Sequence, residues 1–220
     1  VFRSVNIALI NELKTIYGKM GVNIWEVVAA AKTKPFGYMP FYPGPGLGGH
    51  CIPIDPFYLA WRAKKFGEDA RFIELAGEIN SSMPEHVIDK LEQALNKRAG
   101  KTLANSSILL LGLAYKKNIN DTRESPAFSL IEMMEARGAE VSYYDPYVPE
   151  MPPARGYPNL LGRKSVKWCS KVLASFDAVL ICTDHDNVDY SELVKASNLV
   201  IDTRNATSGI NHGQEKIVEA

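Results

Sequence analysis

The chain has 220 residues, of which 46% are hydrophobic and 23% charged. That length and composition suit one large or two modest globular domains with a continuous core. Its 25 basic and 25 acidic residues cancel, which excludes the broad basic surface that nucleic acid or an anionic membrane would require. No apolar run is long enough to span a bilayer. Three cysteines, Cys51, Cys169 and Cys182, are too few and too irregularly spaced for a disulfide framework or a zinc site, so a reducing cytoplasm is expected.

The first residues already read as helix interior, with no cap before them, so the chain is expected to be part of a longer polypeptide. Val5, Ala8, Leu9, Leu13 and Ile16 recur at helical spacing, and Gly18 with Gly21 marks the end of that helix. A second helix is predicted over Ile24–Ala31. Residues 34–56 hold six prolines and five glycines, too many for a regular element, so helix is predicted to resume only at Phe57. A long helix follows over 69–97, carrying Phe72, Leu75, Ala76, Ile79, Met83, Val87, Leu91 and Leu95, with Pro84 as a candidate kink. Its apolar stripe fits a subunit interface and an internal core equally well. From Gly100 the pattern changes to short apolar strands at 107–111, 140–144, 178–182 and 199–202, with helices at 126–136 and 190–196. Alternating strands and helices imply a parallel sheet covered on both faces. Ligands of such sheets bind beyond the carboxyl ends of the strands, which here carry Leu113 to Lys116, Thr183-Asp184-His185 and Thr203-Arg204.

Two segments carry chemistry. The first runs Pro43-Gly44-Pro45-Gly46-Leu47-Gly48-Gly49-His50-Cys51-Ile52-Pro53-Ile54-Asp55-Pro56. Its glycines let backbone amides approach a ligand closely. A cysteine just after them, near a helix start, has its thiolate favoured. Asp55, four residues on, is placed to act on water or on a thiol adduct. The segment fits the dinucleotide fingerprint badly, because no strand precedes it and Pro45 breaks the turn. The second segment, Gly112 to Pro126, joins a strand to a helix that Ser125 or Asp121 can cap. Lys116 offers a point charge for phosphate, Arg123 a bidentate fork and Tyr115 a stacking surface; an ordinary solvated loop is the even alternative. His185 with Asp184 reads more naturally as a surface turn, Cys182 as core, His86 and His212 as surface, and Trp25 and Trp61 as packing residues.

At these two segments the chain resembles the UDP-glucose/GDP-mannose dehydrogenase family, and its opening, Val1 to Leu13, resembles that family's central helix. The resemblance implies an α/β architecture: a helical central domain with a long dimerisation helix (1–98), followed by a Rossmann-like parallel-sheet domain that binds UDP-sugar (99–220). It implies a homodimer or higher homo-oligomer, with NAD as cofactor on a further Rossmann domain that, like the catalytic lysine–asparagine pair, lies outside this sequence. It implies two-step oxidation of a sugar C6 hydroxyl through a thiohemiacetal and thioester on Cys51, with Asp55 serving the hydrolytic water. It further implies that Tyr42, Pro43, Gly44, Pro45, Gly46, Leu47 and Gly48 wrap the sugar and diphosphate. Tyr115, Lys116 and Arg204 would hold the nucleotide and sugar, and Arg123 would reach NAD. Ile54 stands where UDP-glucose enzymes carry lysine, and the Pro35-Phe36 region lacks their cross-subunit arginine; Arg3 is a candidate replacement, although it reads more naturally as an exposed helical arginine. With His50 before the cysteine, these departures resemble the branch acting on UDP-N-acetyl-hexosamines. The competing classes are UDP-glucose oxidation, another cysteine-dependent chemistry such as acyl transfer, and a nucleotide-sugar-binding module without catalysis.

Overall fold

The computed structural model describes all 220 residues. Helix α1 (Phe2–Met20) ends at Gly21, whose left-handed φ of 71° closes it; Gly18 lies inside the helix rather than ending it. Helix α2 (Ile24–Lys32) is capped by the Asn23 side chain, which accepts from the Trp25 N–H. Helix α3 (Cys51–Lys64) begins at Cys51, six residues before the expected Phe57. Proline density misled the expectation: Pro53 falls in the first turn, where backbone N–H groups have no intrahelical partner to lose. Helix α4 (Arg71–Ala99) runs through Pro84 and stops at left-handed Gly100. Gly77 lets α3 lie close on α4, since a Cβ there would come within 2.5 Å of the Phe57 ring.

The buried face of α1 coincides only in part with the apolar stripe read from the sequence. Ser4, Ala8, Asn11 and Lys14 are buried, whereas Leu9 and Ile16 are about half exposed. Helix α4 divides along its length. Met83, Val87, Leu91 and Leu95 are fully buried, while Phe72 is 79% exposed. Its second half therefore packs as internal core, while its first half buries Ile73 and Ala76 and leaves Phe72 and Leu75 exposed.

Strands β1 (Ser107–Leu111), β2 (Glu140–Tyr144), β3 (Ala178–Ile181), β4 (Val200–Asp202) and β5 (Ile217–Glu219) form one parallel sheet in the order β2-β1-β3-β4-β5. The three-residue edge strand β5 gave no sequence signal. Helices α5 (Pro126–Ala136), α6 (Ser170–Leu173) and α7 (Tyr190–Ala196) complete the order. Alternate residues of the central strands serve opposite cores. Ile108, Leu110, Leu180 and Ile201 meet α5 and the second half of α4, while Leu109, Leu111, Val179 and Ile181 meet α6 and α7. The chain leaves β1 toward β2 and returns on the other side to β3. The crevice beyond the ends of β1 and β3 is therefore the switch point at which such sheets take ligands.

Candidate active site

The ligand edge is built by long-range polar contacts. Gly112, at φ 89°, lies against Thr183, where a Cβ would come within 2.5 Å; this closes the gap between the ends of β1 and β3. Asp145, at the end of β2, accepts from the Leu113 and Ala114 N–H groups at 2.7 and 2.9 Å and from those of Tyr147 and Val148 at 2.8 and 3.1 Å. It also faces His185 Nε2 at 3.1 Å, while the Asn118 N–H donates to Nδ1 at 3.0 Å. That pattern places the ring proton on Nε2. His185 is thus fully buried and not part of a surface turn; its partner lies forty residues away, beyond any local sequence signal. Burial pushes the Asp145 carboxyl up, but the His185 bond and the amide donors outweigh it and hold the group below its ordinary value. The first amides after β1, which a dinucleotide-binding sheet leaves free for phosphate, are therefore occupied by the protein's own carboxylate.

A second buried network holds the glycine-rich loop. Asn80 donates to the Ser4 carbonyl and accepts from Asn11, and Asn11 Oδ1 accepts from the Gly44 N–H at 3.0 Å. The loop then runs along the sheet edge at backbone-contact distance. A Cβ on Gly44 would lie 2.6 Å from the Arg204 guanidinium, and one on Gly48 would lie 2.5 Å from Tyr115 Cβ and 3.0 Å from the Glu124 carbonyl. The Gly49 N–H donates to the Arg123 carbonyl at 2.8 Å. Glu124, between Arg123 and the α5 cap, holds a left-handed φ of 50°, a strained state for a non-glycine residue.

The loop separates two cavities. One, of about 410 Å³, is lined by Tyr42, Pro43, Tyr115, Lys116, Asp184 and Arg204, together with Trp25, Lys117 and Thr183. Lys117 is paired with Asp186 at 2.8 Å, which leaves Lys116, on the exposed turn, as the uncommitted cation. Arg204 Nε donates to the Cys182 carbonyl at 2.8 Å, so its outer nitrogens remain available. Burial raises the Asp184 carboxyl, against the opposing pull of Arg204. The other cavity, of about 490 Å³, takes Gly46, Leu47, His50 and Ile54 from the loop side and Arg123 and Glu124 from the sheet side. The expected substrate arc thus divides: Tyr42 and Pro43 face one cavity, Gly46 and Leu47 the other, and Pro45 is buried between them.

Cys51 opens α3 and is exposed, as is Asp55 one turn later on the same face. Burial pushes the Cys182 thiol up to about 11, as befits the core position expected for it. Ser125, not Asp121, caps α5. Asp121 instead grips Arg123, accepting from Nε at 3.0 Å and from Nη2 at 2.6 Å. Arg123 is therefore not a free fork; Nη1 is its uncommitted edge. Arg3 and Phe36 are exposed and line neither cavity. Trp61, expected to pack, is 57% exposed beneath Lys65, and His86 is half-buried rather than on the surface.

Sequence reasoning missed Asn11, Asn80 and Lys14. The signal was present, since Ser4, Ala8 and Asn11 follow helical spacing, but polar residues do not register in an apolar stripe. It also favoured packing over binding for Trp25. Trp25 does stack on Tyr42, at 5.9 Å and 19°, yet it also lines the first cavity, and its buried indole N–H has no partner.

The fold and the site define a Rossmann-like α/β protein, with a parallel sheet whose ligand edge is closed by a glycine-rich loop leading into an exposed cysteine. Comparison with known proteins identifies the group. Residues 1–82 match the central domain of the UDP-glucose/GDP-mannose dehydrogenase family, and residues 109–209 match that family's UDP-binding domain. The chain belongs to this family. It is 38% identical, over 93% of its length, to the UDP-N-acetyl-D-mannosamine dehydrogenase of Pyrococcus horikoshii, of which it covers 46%. The solved structure of that enzyme superposes with a TM-score of 0.78 at 37% identity, over 93% of this chain and 46% of that one. An NDP-N-acetyl-D-galactosaminuronic acid dehydrogenase from Ralstonia nicotianae is 35% identical over 92% of this chain and 45% of its own. The structure of a protein of that name from Methanosarcina mazei gives a TM-score of 0.81 at 28% identity, over 99% of this chain and 47% of that one. The chain spans about half the length of the curated relatives it matches.

Proposed function

We propose that this chain supplies the nucleophile and the nucleotide-sugar site of an NAD-dependent UDP-sugar 6-dehydrogenase acting in the cytoplasm. The observation that carries the reading is the seating of one continuous loop. The segment that packs on Arg204 and Tyr115 at the sheet's ligand edge runs directly into Cys51 at the start of α3. On this reading a ligand held at that edge extends along the loop toward the thiol. Lys116 and the outer nitrogens of Arg204 suit a diphosphate, and Tyr115, Tyr42 and Trp25 suit a base.

NAD supplies the hydride-accepting chemistry for two oxidations at C6. The sheet's first amides are taken by Asp145, so they offer it no phosphate cradle; Arg123 Nη1 is the donor here that fits a contact with it. Cys51, as thiolate, adds to the C6 aldehyde: the S–C6 bond forms and the carbonyl pair moves to O6, which takes a proton. Oxidation at that carbon leaves a thioester. Asp55 accepts a proton from the attacking water, the C–S bond breaks, Cys51 departs as thiolate and the sugar carboxylate is released.

Support for an N-acetyl sugar comes from the relatives named for N-acetyl-hexosamine substrates and from Ile54 and Leu47 in the cavity wall, where an acetyl methyl finds apolar contact. Burying that methyl contributes about 1 kcal/mol, and one amide hydrogen bond adds a similar amount. UDP-N-acetylglucosamine or an epimer is therefore preferred over UDP-glucose by roughly tenfold or more. The exposed apolar residues Leu9, Ile16, Trp61 and Phe72 support a homodimer.

Turnover by the complete enzyme, wild type and Cys51→Ser, with UDP-N-acetylglucosamine and UDP-glucose side by side, tests the reading. The serine variant should lose carboxylate formation and keep nucleotide-sugar binding. Carboxylate formation at the wild-type rate by the variant removes the covalent mechanism. An equal or higher kcat/KM with UDP-glucose removes the N-acetyl assignment alone.

A further inference from the structure

We infer that His185 and Asn118 are positioning residues that hold the turn carrying Lys116 against the nucleotide cavity. The turn spans residues 115–121 and is closed by a backbone bond from the Tyr115 N–H to the Asp121 carbonyl at 3.0 Å. Between those ends the backbone has little hold on itself. No N–H of residues 116–120 donates to a backbone carbonyl, and only that of Asn118 finds a partner in the protein, His185 Nδ1 at 3.0 Å. Asn118 takes a left-handed φ of 63° there, a conformation that asparagine tolerates better than most residues. Its side chain clasps Asp186 in both directions: Nδ2 donates to Oδ2 at 2.6 Å, and Oδ1 accepts the Asp186 N–H at 3.0 Å. Lys117 joins the same carboxylate at 2.8 Å. These anchors lie just beyond β3, and His185 is itself fixed from behind by Asp145 at 3.1 Å. Lys117 and Asn118 are thus spent on the end of β3, and Lys116 is left to line the cavity with Arg204 and Asp184. A turn without internal backbone bonds takes several conformations once released. A ligand that needs one of them then binds more weakly, in proportion to the time it is populated.

The inference rests on the reading that Lys116 meets a diphosphate, and two measurements keep the failure of each apart. His185→Gln is the decisive variant, because the Gln amide nitrogen can stand in for Nε2 against Asp145 while nothing replaces the Nδ1 acceptor. Asn118→Gly keeps the left-handed backbone and removes the clasp, on an exposed turn where folding is not at stake. Backbone amide exchange, followed by NMR on the 220-residue chain, reports the turn without any ligand. The Asn118 amide should be protected in wild type and exchange about tenfold faster or more in His185→Gln. Calorimetry with UDP reports binding. Each variant should weaken UDP by roughly fivefold to tenfold. With Lys116→Ala already present the loss should fall below about twofold, since the turn then has no cation left to aim. An unprotected Asn118 amide in wild type overturns the inference. So do affinities unchanged in both variants when Lys116→Ala weakens UDP. Losses that persist at full size in the Lys116→Ala background overturn it as well, because His185 then supports the sheet edge at large. If Asn118 protection depends on His185 but Lys116→Ala leaves the UDP titration unchanged, the diphosphate reading of Lys116 fails and the anchored turn stands.

Discussion

At the scale of single residues, two glycines of the loop make the same demand for space but differ in what meets them. A Cβ on Gly44 would lie 2.6 Å from the far end of the Arg204 side chain, which can swing aside. A Cβ on Gly48 would press on Tyr115 Cβ and the Glu124 carbonyl, at 2.5 and 3.0 Å, neither of which can move without the backbone. Gly44→Ala should therefore leave the urea midpoint nearly unchanged while displacing the Arg204 side chain that the proposed function sets against the diphosphate. That loss of a charge-assisted hydrogen bond is worth about 1.5–3 kcal/mol, or roughly tenfold to a hundredfold in affinity. Gly48→Ala should lower stability by about 1–3 kcal/mol and weaken binding as well. Calorimetry with a UDP-sugar and urea unfolding of both variants separate the two cases; a destabilised Gly44→Ala with intact affinity would contradict the placement of Arg204.

At the scale of elements, Asp145 ties the loop after β1 to the end of β2 and to His185. Its folded pKa lies below the unfolded value of about 3.9, so its stabilisation is present above that value and is lost as pH falls through the folded pKa. Asp145→Asn should cost about 2–4 kcal/mol at neutral pH, and the gap in urea midpoint from wild type should shrink only below about pH 4. A gap that closes well above that pH would contradict the assignment to Asp145. The strands β1 to β4, and α4 with its C-terminal core stripe, were legible because each is a local run of apolar residues. The Asp145–His185 contact was not, because it joins residues forty apart. The start of α3 was hidden by Pro53 and Pro56, whose number suggests a loop, although Pro53 falls in the tolerant first turn and the helix runs on through Pro56. In α1 the apolar stripe was right at Ala8 but not at the exposed Leu9 and Ile16, because much of the buried face had been given to Ser4, Asn11 and Lys14, which hold the loop and the edge of the sheet. Cys51, Asp55, Lys116 and Arg204 were readable as candidates from glycine density and strand ends. The division of the loop between two cavities follows from tertiary contacts alone.

At the scale of the whole molecule, the helical layer and the sheet are joined where their chemistry meets. Asn11 and Asn80 anchor the loop from the helical side, while Arg204, Tyr115 and the Arg123 carbonyl receive it on the sheet side. Helix α4 contributes to both, and Lys14 reaches from α1 to the Ala220 carbonyl after β5. On the proposed function, this junction links the sheet's ligand edge to Cys51 through a single short segment. The claim that the sheet edge and Cys51 form one site is tested most directly by alkylating the chain with and without saturating UDP-N-acetylglucosamine. Cys51 should be protected several-fold while exposed Cys169 reacts at an unchanged rate. Bound nucleotide-sugar that leaves Cys51 alkylation unaltered would place the ligand elsewhere and contradict the shared site.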